Sequence, residues 1–158
     1  MTTLVNVPYD KLKVGDTATY ERTLTERDLI LFATVSGDHN PIHVDETFAS
    51  SSQFGERIAH GMWTGSLISA ALAMVMPGPG GVYRSQELKF LLPVKINDTI
   101  TVRLEVIEKS ERTKCAIIST NVVNQNGKFV AKGKACVMPA TDSVTIETAA
   151  LPEVTITH

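Results

Sequence analysis

The chain has 158 residues and a formal net charge of −2, from 15 basic and 17 acidic side chains. This balance argues against a nucleic-acid-binding protein, which needs a marked basic excess, and 43% hydrophobic residues are too many for a disordered chain. The length suits one domain with one core. Two cysteines, Cys115 and Cys136, are too few for a disulfide scaffold, and the first residues lack a secretory signal pattern, so we expect a cytoplasmic protein.

The first half of the chain is predicted to contain one strand and two helices. A strand over residues 17–24 precedes a helix that begins after the N-cap Thr25 and ends at Gly37. The stretch 37–43 is predicted to be a loop, because its proline lacks an amide donor. The apolar segment 58–76 is long enough for a membrane span, but its interrupting polar side chains favour a buried helix.

The second half of the chain is rich in apolar and β-branched residues, a composition that is typical of strands. A strand, two helices and an antiparallel meander together predict an α+β fold, with one domain over residues 1–138. The tail 139–158 alternates only weakly, and it is interpreted as an edge strand, an arm against a neighbouring subunit or a disordered segment. The predicted strands cover residues 82–92, 99–109, 114–123 and 129–138.

An acid and an imidazole stand close together in the predicted loop, at Asp38 and His43. Such a pair can share the handling of one water molecule, because histidine titrates near neutral pH and a buried carboxylate can be tuned towards it. The alternative is structural: Asp38 caps backbone amides in an Asx turn and His43 fills a gap. For an isolated pair of this kind, the structural interpretation is favoured.

A glycine lies near the start of the long apolar helix, at Gly61. The first amides of a helix lack internal partners and carry partial positive charge, and no side chain at a glycine blocks a ligand oxygen. These are the properties of an oxyanion hole, although many helices begin near a glycine. Small residues recur at every fourth position from Gly61 through Gly65 and Ser69 to Ala73, which predicts one narrow face for a close neighbour.

One longer pattern is more specific. Residues 35–43 read Val-Ser-Gly-Asp-His-Asn-Pro-Ile-His, after Phe32 and before Ala49. This pattern resembles the hydratase signature of the MaoC-like, (R)-specific enoyl-CoA hydratases, and the resemblance extends over residues 9–137. Further matching segments are Phe54-Gly55, Ile58-Ala59-His60-Gly61-Met62, Leu88-Lys89-Phe90, Pro93-Val94 and Asp98.

The resemblance implies a hot-dog fold, a long helix wrapped by a curved antiparallel sheet, usually paired into dimers. It implies that Asp38 and His43 activate water and shuttle the proton, and that the Gly61 amide binds the thioester oxygen. It also implies that Ser69 lines the site and helps to hold the catalytic pair. Asn40 is expected to shape the loop or orient the water.

The implied substrate is an enoyl thioester of coenzyme A or of an acyl carrier, without metal, redox cofactor, nucleic acid or membrane. The alternatives are a carrier-specific dehydratase, a hot-dog thioesterase and a non-catalytic acyl-CoA-binding subunit. His39 and His60 are expected to be structural. The acyl pocket is expected to involve Met62, Trp63, Leu67 and residues 48–54, and candidates for contact with the phosphates are Arg84, Lys89, Lys95 and Lys132.

Overall fold

The computed structural model describes residues 1–157 as a long helix packed on an antiparallel sheet, with three shorter helices beside it. The strands are β1 (Thr2–Val5), β2 (Thr17–Thr23), β3 (Val82–Phe90), β4 (Thr99–Ser110), β5 (Cys115–Val123), β6 (Phe129–Met138) and β7 (Thr145–Thr148). The helices are α1 (Glu26–Ser36), α2 (Pro41–Val44), α3 (Glu46–Ser50) and α4 (Gly61–Met74). The predicted strands and both predicted helices are therefore confirmed, with small differences at their ends.

The main sheet has five strands in the order β2-β4-β5-β6-β3, and every neighbouring pair is antiparallel. Register shifts occur between Tyr83 and Ser85 in β3 and between Val106 and Glu108 in β4. Such bulges bend a strand and increase its twist, which lets the sheet curve around a helix. The sheet ends on one side at β3, and this edge lies beside the N-terminal half of α4.

The core lies between α4 and the inner face of this sheet. The helix contributes fully buried Ile68 and Ala71, and β4 contributes Ile100, Val102 and Leu104, none more than 1% exposed. Helix α4 has 14 residues and is largely apolar, and burial of its side chains in the core stabilises it. Within residues 1–157, no helix combines the length and the apolar character needed to cross a bilayer.

Helix α1 is held at its N-terminus by a capping box. The Thr25 hydroxyl accepts a hydrogen bond from the Asp28 amide, and the Asp28 carboxylate accepts one from the Thr25 amide. Arg22 of β2 pairs with the same carboxylate at 2.6 Å. At the other end, Gly37 has a φ of 76°, which favours glycine and turns the chain sharply into the next segment.

The prediction of a loop throughout residues 37–43 is wrong at its end. The Asn40 side chain accepts a hydrogen bond from the Ile42 amide, and Pro41 follows as the first helical residue, so α2 forms one turn that carries His43. Proline suits this first position because the amide it lacks has no helical partner there. The Asp45 side chain caps α3 in the same way, and four or five residues are too few to show a helical period in the sequence.

Helix α4 begins at Gly61 and not at Ile58, because the preceding residues pair with another segment. Ile58 forms an isolated bridge with Lys95, and the Ala59 amide donates to the carbonyl oxygen of Val94 at 2.8 Å. The segment that leads into α4 is therefore pinned to the chain that follows β3.

The tail contains one short strand that pairs within the chain. Strand β7 lies antiparallel to β1, with Leu4 opposite Ile146. The Asn6 side chain supports this pair, since it donates to the carbonyl of Asp142 and accepts from the amide of Val144. The two ends of the chain thus form a small second sheet, separate from the one that packs on α4.

Candidate active site

The imidazole of His43 is buried and held in one orientation. The residue is 8% exposed, and its Nδ1 lies 2.8 Å from the carbonyl oxygen of Ile58. A carbonyl only accepts hydrogen bonds, so this contact assigns the proton of the neutral ring to Nδ1 and leaves Nε2 with a free lone pair. A nitrogen in that state can accept a proton from water.

Asp38 lies beside this ring on the exposed segment between α1 and α2. Its Oδ1 accepts a hydrogen bond from the Asn40 amide at 3.2 Å, which is the predicted Asx turn. A carboxylate oxygen of Asp38 and one ring nitrogen each of His43 and His60 all lie within 4.8 Å of one another. The structural and the chemical interpretations of Asp38 are therefore compatible, because the turn itself brings the carboxylate to the imidazole.

The environment of His43 keeps the ring neutral. Burial lowers the pKa of His43 below its usual 6.5, and the nearby His60 lowers it further. The hydrogen bond to Ile58 and the charge of Asp38 act in the opposite direction on this pKa but do not outweigh burial. At neutral pH the side chain is thus in the form that can act as a base.

Gly61 is the first residue of α4, and within residues 1–157 no side chain caps this helix. The exposed amides and the helix dipole make the start of α4 a site of positive potential. Gly61 and the neighbouring His60 and Thr64 line a cavity of about 330 Å³, and residues 90–94 line its other side. A cavity therefore leads to the glycine amide that the sequence singles out.

A second cavity of about 620 Å³ runs along the small-residue face of α4, where Gly65 and Ser69 line it opposite Leu88 and Tyr83. Phe90 lines both cavities and so forms the wall between them. Ser69 faces the second cavity, and among the described residues we find no hydrogen bond from Ser69 to Asp38 or His43. The structure thus places Ser69 on the small-residue face of α4, two turns beyond Gly61.

Asn40 is placed as the cap of α2 and not as a group that reaches into either cavity. Its side-chain oxygen is occupied by the Ile42 amide. Asn40 therefore shapes the segment that presents Asp38 and His43.

A divalent metal does not fit the Asp38, His43 and His60 group well. The two imidazole rings stack with centroids 3.8 Å apart and an interplanar angle of 27°. A metal must lie in the plane of each ring, about 2.0–2.1 Å from the ligating nitrogen. Nearly parallel stacked rings direct their nitrogen lone pairs along separate planes, so they do not converge on one ion.

The four basic candidates for the phosphates are in different surroundings. Lys95 pairs with Glu56 at 2.6 Å, and Arg84 lines a separate cleft with Cys115 and Cys136. Lys89 and Lys132 lie directly opposite one another in the β3–β6 register. Two like charges at such a position are unfavourable unless an anion or solvent separates them.

The residues predicted to form one acyl pocket lie at three different cavities. Trp63 and Leu67 are buried, and both line a third cavity of about 350 Å³ between α1 and α4. Met62 is 60% exposed and lies at the second cavity instead. Phe54 faces the first cavity, at the Gly61 end.

Sequence reasoning missed the position of His60 and of Phe90. The sequence predicts a structural role for His60; in the structure its ring stacks on His43 and its Nε2 donates to the Asp38 carbonyl oxygen at 2.8 Å. Phe90 was noted only as part of a matching segment, yet it lies against Gly61. Both residues lie in segments that match the family pattern, but no local sequence signal predicts the stack of His60 on His43 or the wall formed by Phe90.

Known proteins are similar to this chain in sequence and in structure. A model of the MaoC-like domain matches residues 13–127. A 3-hydroxybutyryl-CoA dehydratase from Methylorubrum extorquens is 42% identical over 130 residues, 82% of this chain and 82% of that protein. An (R)-specific enoyl-CoA hydratase from Rhodospirillum rubrum is 41% identical over 130 residues, 82% of this chain and 90% of that protein.

The solved structure of R-hydratase PhaJ1 from Pseudomonas aeruginosa is 48% identical and superposes with a TM-score of 0.95, covering 98% of this chain and 99% of that one. The expected fold class is confirmed by this likeness. The chain belongs to the MaoC-like family and has the α+β hot-dog fold.

Proposed function

We propose that this protein is a hydro-lyase that adds water reversibly to a trans-2-enoyl-CoA and gives the (R)-3-hydroxyacyl-CoA. The observation that carries this proposal is the neutral His43 ring, with Nε2 free, held next to the Asp38 carboxylate beside the start of α4. The similarity to hydratases and dehydratases over four fifths of the chain supports the same activity.

The reaction begins with polarisation of the substrate. The thioester carbonyl oxygen accepts a hydrogen bond from the Gly61 amide at the uncapped start of α4. The helix dipole at this end also favours negative charge on that oxygen. Electron density is drawn away from C3 of the enoyl group, and the enolate that forms after attack is stabilised at the same amide.

Water then adds at C3. Asp38 and the Nε2 of His43 orient the water, and this pair takes one proton as the water oxygen bonds to C3. The same pair returns a proton to C2 as the enolate collapses, so one water has been added and the groups are restored. The reverse sequence is the dehydration, and both directions use one site.

A thioesterase is the main enzymatic alternative. It needs attack at the carbonyl carbon and release of free thiol, whereas the proposed attack is at C3 and leaves the thioester intact. A non-catalytic acyl-CoA-binding subunit needs neither Asp38 nor His43, whereas this chain has both and orients the His43 ring by a hydrogen bond.

We propose coenzyme A as the substrate handle, with its phosphates close to Lys89 and Lys132. Lys89 and Lys132 lie opposite one another in the β3–β6 register, next to the strand end that bears Phe90. An anion between them would relieve their repulsion. An acyl carrier protein remains the alternative handle, because relatives in this family include 3-hydroxyacyl-[acyl-carrier-protein] dehydratases at 31% and 33% identity.

We also propose a homodimer in which the sheets continue across β3. This strand lies at the edge of the five-stranded sheet, and Val82 and Phe90 on it are about half exposed, at 50% and 47%. A long edge with apolar side chains is an open site for strand pairing. Light scattering that finds only monomers at working concentration would contradict this part of the proposal.

The decisive test of activity is the purified protein with a series of trans-2-enoyl-CoAs from short to long. We expect loss of enoyl absorbance without release of free thiol, and a product of (R) configuration. Thiol release at the rate of absorbance loss would instead indicate a thioesterase, and activity only on carrier-bound substrates would overturn the assignment to coenzyme A.

A further inference from the structure

His60 is a buried imidazole that none of the steps above uses. It is 3% exposed and occupies the N-cap position of α4, directly before Gly61. Its contacts lead to the two residues assigned to proton transfer. The residue therefore links the start of the helix to the catalytic pair.

The first link is a hydrogen bond to the backbone of Asp38. The Nε2 of His60 donates to the Asp38 carbonyl oxygen at 2.8 Å, across 22 positions of sequence. This bond joins the exposed segment between α1 and α2 to the rigid helix α4. It limits movement of the main chain that carries the Asp38 carboxylate.

The second link is the stack on His43. The ring centroids are 3.8 Å apart with an interplanar angle of 27°, and Phe32 packs on His60 at 5.0 Å. The hydrogen bond from Nδ1 to Ile58 fixes one edge of the His43 ring, but rotation about that bond needs a second restraint. The face of His60 provides this restraint.

The remaining nitrogen of His60 has no partner. Its Nδ1 is buried, and among residues 1–157 no donor or acceptor reaches it. A buried polar atom without a partner is destabilising. An apolar side chain would fill the same space without this penalty, so packing alone does not account for an imidazole here.

We propose that His60 is a positioning residue of the hydration reaction, which holds the Asp38 main chain through Nε2–H and the His43 ring through its face. Both catalytic groups are thereby directed at the same water. This inference rests on the proposed hydratase function. It assigns no contact with substrate to His60.

Three substitutions separate the two links. His60→Leu removes both, His60→Gln keeps an amide donor in reach of the Asp38 carbonyl, and His60→Phe keeps a ring face on His43. The control is His39→Gln, which also removes an imidazole from this region. His39 is exposed, and its Nδ1 forms a hydrogen bond with the nearby carbonyl oxygen of Gly37 at 3.1 Å.

We expect kcat for crotonyl-CoA hydration to fall about tenfold for each link lost, since each is a single oriented contact. The Leu variant should therefore be the slowest, and the Gln and Phe variants should each recover part of the loss. KM should stay within about twofold, because binding energy to the substrate is unchanged. The His39→Gln protein should keep wild-type kcat.

An NMR titration of the His43 ring gives a readout independent of turnover. The titratable groups that act on this ring are Asp38, which raises its pKa, and His60, which lowers it. In the Gln variant the His43 titration should move to higher pH, and the Nδ1 proton of His43 should exchange faster than in the wild type. A wild-type protein that hydrates no enoyl-CoA would refute the proposed function, while this titration would still test the positions of the rings.

The proposal is overturned if folded Gln and Phe variants both keep wild-type kcat and an unchanged His43 titration. It is also overturned if all variants lose kcat only in proportion to the unfolded fraction measured by circular dichroism. If the Leu variant does not fold, the Gln and Phe variants decide alone, because each retains a polar or aromatic side chain of similar size.

Discussion

The ring of Phe90 lies against Gly61: a Cβ built on the glycine would be 3.2 Å from the Cζ of Phe90. Contacts this short require the neighbour to move, and Phe90 is the wall between the cavity at the start of α4 and the cavity along its small-residue face. A side chain at position 61 must therefore shift the Phe90 ring by a few tenths of an ångström, whereas glycine lets the ring lie against the start of α4.

Substitution of Gly61→Ala should impair hydration although the amide itself remains. The new methyl group must displace Phe90 or the thioester oxygen, and complete loss of one oxyanion-hole donor costs about 10²–10³ in kcat. Because the amide donor is kept but its contact is disturbed, we expect kcat/KM for crotonyl-CoA to fall at least about tenfold.

A double variant, Gly61→Ala with Phe90→Ala, distinguishes the two effects. If the methyl group acts by pushing Phe90, removal of the ring should restore part of the rate. If the methyl group blocks the oxygen directly, the rate should stay low. Wild-type kcat/KM in the single variant would remove Gly61 from the mechanism.

The segment before Gly61 is anchored by Arg57, which pairs with Glu26 of α1 at 2.7 Å and with Glu46 of α3 at 2.8 Å. The arginine side chain is 14% exposed, while both carboxylates are about 60% exposed. Arg57 precedes Ile58, whose carbonyl orients His43, so the ion pairs join two helices at the site.

Replacement of Arg57 by Ala should lower the free energy of unfolding by about 1–2 kcal/mol, because two charge-assisted contacts are lost but remain partly screened. Urea unfolding measures this change. The matched control is Lys114→Ala, since Lys114 and Glu111 form an ion pair that is largely exposed. If the Lys114→Ala protein loses as much free energy of unfolding as the Arg57→Ala protein, the burial of Arg57 adds nothing to its two ion pairs and the prediction is contradicted.

The strands and the main helices follow from local sequence, because period, turn residues and caps are local properties. Thr25 and Gly37 bound α1 as predicted, and β6 has the predicted bounds of 129 and 138. The α+β arrangement follows from their order along the chain.

The features that the sequence did not predict are short elements and contacts between distant parts of the chain. Helix α2 depends on one side-chain cap from Asn40, which a periodic pattern does not reveal. The pairing of β1 with β7 joins residues 140 or more positions apart, and neither strand is long enough for a strong signal. The stack of His60 on His43 likewise depends on how α2 meets the start of α4.

The depressed pKa of His43 predicts the effect of pH on stability. Its unfolded value is near 6.5 and its folded value is lower, so above 6.5 this group has no influence on the free energy of unfolding. As pH falls below 6.5 the unfolded chain binds the proton more readily, and stability declines until the folded pKa is reached.

A His43→Gln protein should therefore lose less stability than the wild type between pH 6.5 and pH 5, measured by thermal unfolding. Carboxylates with lowered pKa, such as Asp28 and Glu111, act below their ordinary values of 3.8 and 4.5 and do not interfere. Parallel pH curves for the two proteins would contradict burial as the cause of the shift.

The most direct test of the account is the hydration of crotonyl-CoA by Asp38→Asn and His43→Ala proteins, each checked for wild-type folding. We expect each to lose about 10²–10⁴ in kcat, as removal of a general acid–base group does. The double variant should be little slower than the worse single variant, because the two groups act on one water. Wild-type rates in both single variants would contradict the assignment of proton transfer to this pair.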